Sequence, residues 1–194
     1  MDDNANLRLP PVLQRLHEST VTIDFSMGSE PLVGSLLRTL AASKPGGSFL
    51  ELGTGTGLGT AWLLAGMDRT ARLITVDNDA RLVEIAQQHL GHDPRVQFHV
   101  DDGGHFLISL ASSRFDLIFA DTWPGKYTHL QEALQLLAPG GMYVIDDMLP
   151  QTSWPEDHAV KVEQLIAHVE QRDDLVLTKM NWASGVIIAT KRSG

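Results

Sequence analysis

A carboxylate followed by glycines at every second position, Glu51-Leu52-Gly53-Thr54-Gly55-Thr56-Gly57-Leu58-Gly59, is the stretch of this chain best suited to holding a ligand. Glycine accepts positive φ and lets backbone approach a bound group closely, and a helix beginning just beyond offers unpaired N–H groups to something polar or anionic. The spacing narrows the ligand. A dinucleotide-binding turn needs G-x-G-x-x-G, and its third glycine falls on Leu58 or Thr60 in the two registers open here, so that fingerprint is absent. Further acids stand directly behind apolar runs: Asp77, Asp102, Asp121 and the pair Asp146-Asp147. Asp77 lies about 20 residues past the glycines, where a carboxylate can accept two hydrogen bonds from ribose hydroxyls. A single acid at such a place is often only a loop-starting cap, but a succession of them lines up chemistry along one edge. Two bases complete the set. Lys126 follows a Pro124-Gly125 turn and either reaches back toward the acids or lies solvated at the surface, and His158 titrates near neutral pH.

The elements that must position these groups are legible from periodicity. Phe49–Leu52, Arg72–Asp77, Val96–Val100, Phe115–Ala120 and Met142–Ile145 read as five strands, each ending at one of the acids. Between them, Thr60–Ala65 continues the glycine turn as a helix, and Asp79 caps a second helix through Leu82, Ile85, Ala86 and Leu90. Leu130, Ala133, Leu134 and Leu137 mark a third helix stopped by Pro139-Gly140-Gly141, and Val162, Leu165, Ile166 and Val169 mark a fourth. Ahead of the first strand, Pro10-Pro11 opens a short helix through Leu13 and Leu16, and Pro31 opens another with Leu32, Leu36, Leu37 and Leu40 on one face. Leu175–Leu177 and Val186–Ala189 close the chain as a hairpin-like pair. Alternating strands and helices imply an α/β, doubly wound Rossmann-like sheet of seven strands, mostly parallel with an antiparallel last strand and helices on both faces. Ligands of such sheets sit outside the carboxyl ends of the strands, where the acids are.

The motif Glu-x-Gly-x-Gly-x-Gly with Asp77 at the next strand tip resembles the class I S-adenosylmethionine-dependent methyltransferases. The resemblance spans about residues 25 to 190. It implies S-adenosylmethionine as cofactor, with Gly53, Thr54, Gly55 and Gly57 wrapping its methionine portion and Glu51 positioning the loop and the cofactor's ammonium. Asp77 would take the ribose hydroxyls, Asn78 would lie beside the adenine, and Asp102 would meet the adenine amino group with Gly103 leaving room for the ring. Met27-Gly28 matches a segment whose backbone touches the cofactor, and Asp121 borders it.

A narrower resemblance, carried by Phe115–Asp121, Trp123, Tyr127, Gly140-Gly141 and Asp146-Asp147, is to the small O-methyltransferases of the catechol and caffeoyl-CoA type. That resemblance implies a magnesium ion held by Asp121, Asp146 and Asp147, gripping the vicinal oxygens of a small-molecule acceptor; Asp147 stands where Asn is usual. Oxygen-only ligation suits magnesium. The chain departs from the pattern at Pro124, where the resembling enzymes carry a lysine general base. Lys126 and His158 are the remaining candidates for that role. Trp123 and Trp154 fall in loops beyond strand ends, where they can line an acceptor pocket or pack as a lid.

Composition bounds the rest. The 194 residues read as one domain with residues 1–28 as an N-terminal cap segment, and 43% hydrophobic with 20% charged content is that of a globular protein. A formal charge of −9 with no Lys/Arg run argues against nucleic acid as partner or substrate. The absence of cysteine excludes thiolate catalysis and zinc–thiolate sites. No apolar stretch reaches the ~18 residues of a membrane span and no signal sequence is visible, so the expectation is a cytoplasmic enzyme, with a homodimer left open. A metal-independent N-methyltransferase and a non-catalytic cofactor-binding protein are the alternatives.

Overall fold

A computed structural model of the chain describes residues 2–5, 7–151, 155 and 157–193. Seven strands, β1 (Ser48–Leu52), β2 (Arg72–Asp77), β3 (Val96–Val100), β4 (Phe115–Ala120), β5 (Leu137–Ile145), β6 (Leu175–Met180) and β7 (Val186–Lys191), form one sheet in the order β3-β2-β1-β4-β5-β7-β6. The first five run parallel, and β7 is antiparallel to both β5 and β6. This is the doubly wound arrangement expected from the alternation of strands and helices.

Both faces of the sheet are covered, which is why its strands are apolar almost throughout. Leu50, Leu52, Ile118, Ala120, Tyr143 and Ile145 face one buried cluster with side chains of α5 (Gly103–Ser109), α6 (Leu130–Gln135) and α7 (His158–Glu170). Phe49, Leu73, Leu117, Phe119 and Val144 face another with α1 (Leu13–Thr22), α2 (Pro31–Ala42), α3 (Leu58–Gly66) and α4 (Ala80–Leu90).

Three details depart from the sequence expectations. The buried stripe of α2 is Val33, Gly34, Leu37 and Ala41, with Leu32, Leu36 and Leu40 only half-buried. The cause is Trp62 of α3, whose indole lies 2.1 Å from where a Cβ on Gly34 would stand, so α2 turns its glycine toward α3 and leaves Leu32, Leu36 and Leu40 at the edge of the contact. Helix α6 stops at Gln135, and Leu137 already pairs with Phe115; the chain then bulges through Ala138–Gly141 before pairing resumes at Met142 with Leu117. Helix α5 was not read from the sequence, since its start is the pair Gly103-Gly104; Asp102 caps it by accepting the N–H of His105 at 2.9 Å.

Candidate active site

Strand pairing carries the acids to one edge of the sheet. The N–H of Asp101 donates to Asp77 O, that of Asp121 to Leu52 O, and that of Asp146 to Ala120 O, each continuing a parallel ladder one step past its strand. The glycine loop arches over this edge. Gly53, Gly55 and Gly57 all have positive φ (99°, 51° and 95°), and Gly57 in that conformation starts α3. A Cβ on Gly57 would also press Ala86 of α4 at 2.9 Å.

Asp77 holds the loop in place. Its Oδ2 accepts the Gly55 N–H at 2.8 Å and its Oδ1 the N–H of Asp79 at 3.0 Å. A small cleft opens beside it, lined by Gly53, Val76, Asp77, Asn78, Asp102, Gly103, Thr122 and Pro124. Asp77, Asn78, Asp102 and Gly103, picked out separately in the sequence, thus converge. Pro124 closes the far wall, 3.0 Å from where a Cβ on Gly103 would sit.

Glu51 lies beneath the loop with no exposed surface. Thr75 donates to its Oε2 at 2.6 Å and Thr60, in the first turn of α3, donates to the same oxygen. Because the Thr75 hydrogen is spent on Glu51, Thr54 must be the donor in the 2.7 Å Thr54–Thr75 contact. Burial, opposed by the two threonines, raises the Glu51 pKa to about 7. Of the two roles read for Glu51, loop positioning fits this placement; a carboxylate with no accessible surface does not reach a cofactor's ammonium. Its Oε1 has no hydrogen-bond partner in the described residues.

The N-terminal segment packs onto the same loop. Thr20 of α1 spends its hydrogen on Leu16 O, so Thr56 donates to Thr20 across 2.7 Å. Phe25 lies 3.4 Å from the Cβ position of Gly55, and Leu58 lies 2.6 Å from that of Gly28. The Met27 side chain between them is 77% exposed.

On the other side of the edge, Asp121, Asp146 and Asp147 surround Lys126. The lysine is buried, and its Nζ donates to Asp146 O at 2.9 Å while standing 3.7 Å from Asp121 Oδ1 and 3.8 Å from Asp147 Oδ2. Gly125 makes this possible. Its φ of 90° turns the chain back toward the sheet, in a space where a Cβ would meet Leu52 at 2.5 Å, and Tyr143 anchors the turn by donating to Gly125 O at 2.6 Å. One oxygen of each carboxylate is committed: Asp121 Oδ2 accepts from Ser29 at 2.9 Å, Asp146 Oδ1 from Ser184 and the Asp147 N–H, and Asp147 Oδ1 from Gln151. Burial raises the Asp121 pKa, with Lys126 opposing. Burial and the neighbouring Asp147 raise that of Asp146 to about 6.

This arrangement does not fit the magnesium site read from the sequence. Among the described residues no three His, Asp or Glu side chains are grouped closely enough to hold a metal ion. The space between the expected ligands belongs to an ammonium.

His158 begins α7 and is buried, its Nε2 3.0 Å from the Tyr127 hydroxyl. Burial, helped by Lys126, lowers its pKa. Trp123, 45% exposed, packs edge-on against both rings, with centroids 5.6 Å from Tyr127 and 6.0 Å from His158. Trp154 lies outside the described residues.

Residues 50–148 match the family model described as a methyltransferase domain. The chain belongs to this methyltransferase family. The match runs from the strand before the glycine loop to just past Asp147, so it contains every acid of the site. Among curated relatives, a Mycolicibacterium vanbaalenii protein provisionally named an O-methyltransferase is 34% identical over 129 residues, 63% of this chain and 57% of the relative. The chain therefore aligns with little more than half the length of that relative. Solved structures share the fold over nearly the whole chain. An O-methyltransferase from Bacillus cereus in complex with SAH superposes with a TM-score of 0.86 at 18% identity, covering 98% of this chain and 94% of that one. TomG from Streptomyces achromogenes, an O-methyltransferase of tomaymycin synthesis in complex with SAM, gives 0.85 at 21% identity with the same coverage. The methyltransferase domain carries no helix among its described residues long and apolar enough to cross a membrane.

Proposed function

We propose that this protein transfers a methyl group from S-adenosylmethionine to a hydroxyl oxygen of a small-molecule acceptor. The observation that carries the reading is the Asp77 carboxylate pinned to the glycine loop at Gly55, with Asn78, Asp102 and Gly103 on the walls of the cleft beside it. The cofactor fits the residues present. Asp77 would take the ribose hydroxyls, Asn78, Asp102 and Gly103 would flank the adenine, and the loop from Gly53 to Gly57, with Thr54 and the Met27-Gly28 backbone, would border the methionine portion. Asp121, whose carbonyl lies 2.9 Å from the Cβ position of Gly53 and whose side chain stands beside Lys126, would border the cofactor.

When bound, the cofactor supplies an electrophilic methyl carbon whose bond to sulfur breaks as the bond to the acceptor oxygen forms. The chain's own task is to hold that oxygen in line and take up its proton. Lys126 is surrounded by acceptors and serves as a donor to the oxygen. His158 is the base: its lowered pKa keeps the imidazole neutral at neutral pH, and the Tyr127 hydroxyl, 3.0 Å from its Nε2, would pass its own proton to the ring as it takes the acceptor's. Trp123 and Tyr127 offer aromatic surface to the acceptor. The acidic surface favours small acceptors over nucleic acid.

The test is transfer of labelled methyl groups to a panel of phenols, catechols and amines, with the product's methylated atom identified by mass spectrometry. O-methyl products are expected. Methylation confined to amines, or of bulk RNA, would overturn the reading.

A further inference from the structure

We infer that the Lys126 ammonium is the resident cation of this site and stands in for a divalent metal, so that methyl transfer proceeds without one and engages a single acceptor oxygen. The inference deepens the proposed methyl transfer and rests on it. Three features of the geometry lead here.

First, Nζ lies within 4 Å of Asp121 Oδ1 and Asp147 Oδ2, and it donates directly to the backbone carbonyl of Asp146. A magnesium ion needs its oxygen ligands at about 2.0–2.1 Å, so an ion shared by these carboxylates would stand beside the ammonium. Two cations so close in a buried pocket repel strongly. Second, the opposite oxygens of Asp121 and Asp147 are tied to Ser29 and Gln151, and Asp146 Oδ1 is tied to Ser184, so each carboxylate has one oxygen held by a protein donor. Third, the placement of Lys126 is built in. Gly125 turns the chain where no side chain would fit, and Tyr143 holds the turn from the core.

The ammonium also keeps donor capacity in reserve. It makes one normal hydrogen bond, because 3.7 and 3.8 Å exceed hydrogen-bond length. An acceptor oxygen drawn into that gap would gain a charge-assisted hydrogen bond that favours its deprotonated form. A divalent ion grips two vicinal oxygens, whereas one ammonium asks for one. Monophenols should therefore serve about as well as catechols.

Titration of the protein with Mn2+ followed by electron paramagnetic resonance tests the substitution without any turnover. The wild-type protein should leave the free Mn2+ signal unchanged at equimolar metal, while Lys126→Met, which uncovers the carboxylates, should bind the ion at least tenfold more tightly. Stoichiometric Mn2+ binding by the wild type, lost in Asp121→Asn, would overturn the inference whether or not Lys126→Met folds. A Lys126→Met protein that folds yet binds Mn2+ no better than wild type would also overturn it. A methyl-transfer assay in excess EDTA supplies the second arm: unchanged rates agree with the inference, and a rate lost to EDTA and restored by magnesium contradicts it. Absence of transfer to any acceptor would count against the proposed function while leaving the Mn2+ result to judge Lys126.

Discussion

The Asp77 carboxylate and the Gly55 N–H meet at 2.8 Å, joining the tip of the second strand to the middle of the glycine loop. The carboxylate proposed to take ribose hydroxyls is thereby also the group that pins the loop proposed to border the methionine portion of the same cofactor. One side chain thus ties the glycine loop to the start of α4.

Glu51 is expected to make stability fall as pH rises. Its folded-state pKa lies near 7 against an ordinary 4.5, so the native state holds more protons than the unfolded chain between those values and loses stability as pH climbs through them. The loss amounts to as much as about 3 kcal/mol at 1.36 kcal/mol per unit. Chemical denaturation of wild type and Glu51→Gln between pH 4 and 8 should show the wild type losing ground to the variant across this window and the difference levelling off above it. A constant difference would mean that Glu51 is not the titrating group.

Gly34→Ala should destabilise the protein by about 1–3 kcal/mol, the usual cost of overpacking. Its Cβ would overlap the Trp62 indole, which is buried and cannot swing away. Thermal unfolding at matched pH measures this, and an unchanged midpoint would show that α2 and α3 are not packed as described.

This contact also marks where sequence reading reached its limit. The leucine stripe of α2 gave the right helix and included Leu37 of its buried face, but nothing in the periodicity says that Trp62 will claim Gly34 and centre that face on Val33, Gly34, Leu37 and Ala41. Asp77, Asp79 and the strand-end acids were legible, because each signal is local: an apolar run, then a carboxylate, then a turn. Helix α5 was hidden by two glycines at its start, although Asp102 was its cap all along. Lys126 was the hardest. Its spacing alone left it either solvated or turned inward, and the decision rests on the long-range fit of Gly125 against Leu52 and Tyr143.

His158→Gln should lower kcat by about 10²–10⁴-fold, the range for loss of a general base, with little change in S-adenosylhomocysteine affinity. In the wild type the acid limb of the kcat profile should have its midpoint below 6.5, because burial lowers the His158 pKa and activity is lost as the imidazole gains its proton. A variant with unaltered kcat, or an acid limb that persists after the substitution, would remove His158 from the reaction.

The cofactor cleft at Asp77 is tested most directly by calorimetric titration with S-adenosylhomocysteine, comparing the wild type with Asp77→Ala. The wild type should bind at micromolar levels, about 8 kcal/mol, and the variant should lose roughly 1.5–3 kcal/mol as a charge-assisted interaction disappears. Absence of heat with S-adenosylhomocysteine and S-adenosylmethionine, together with binding of NAD, would contradict the account.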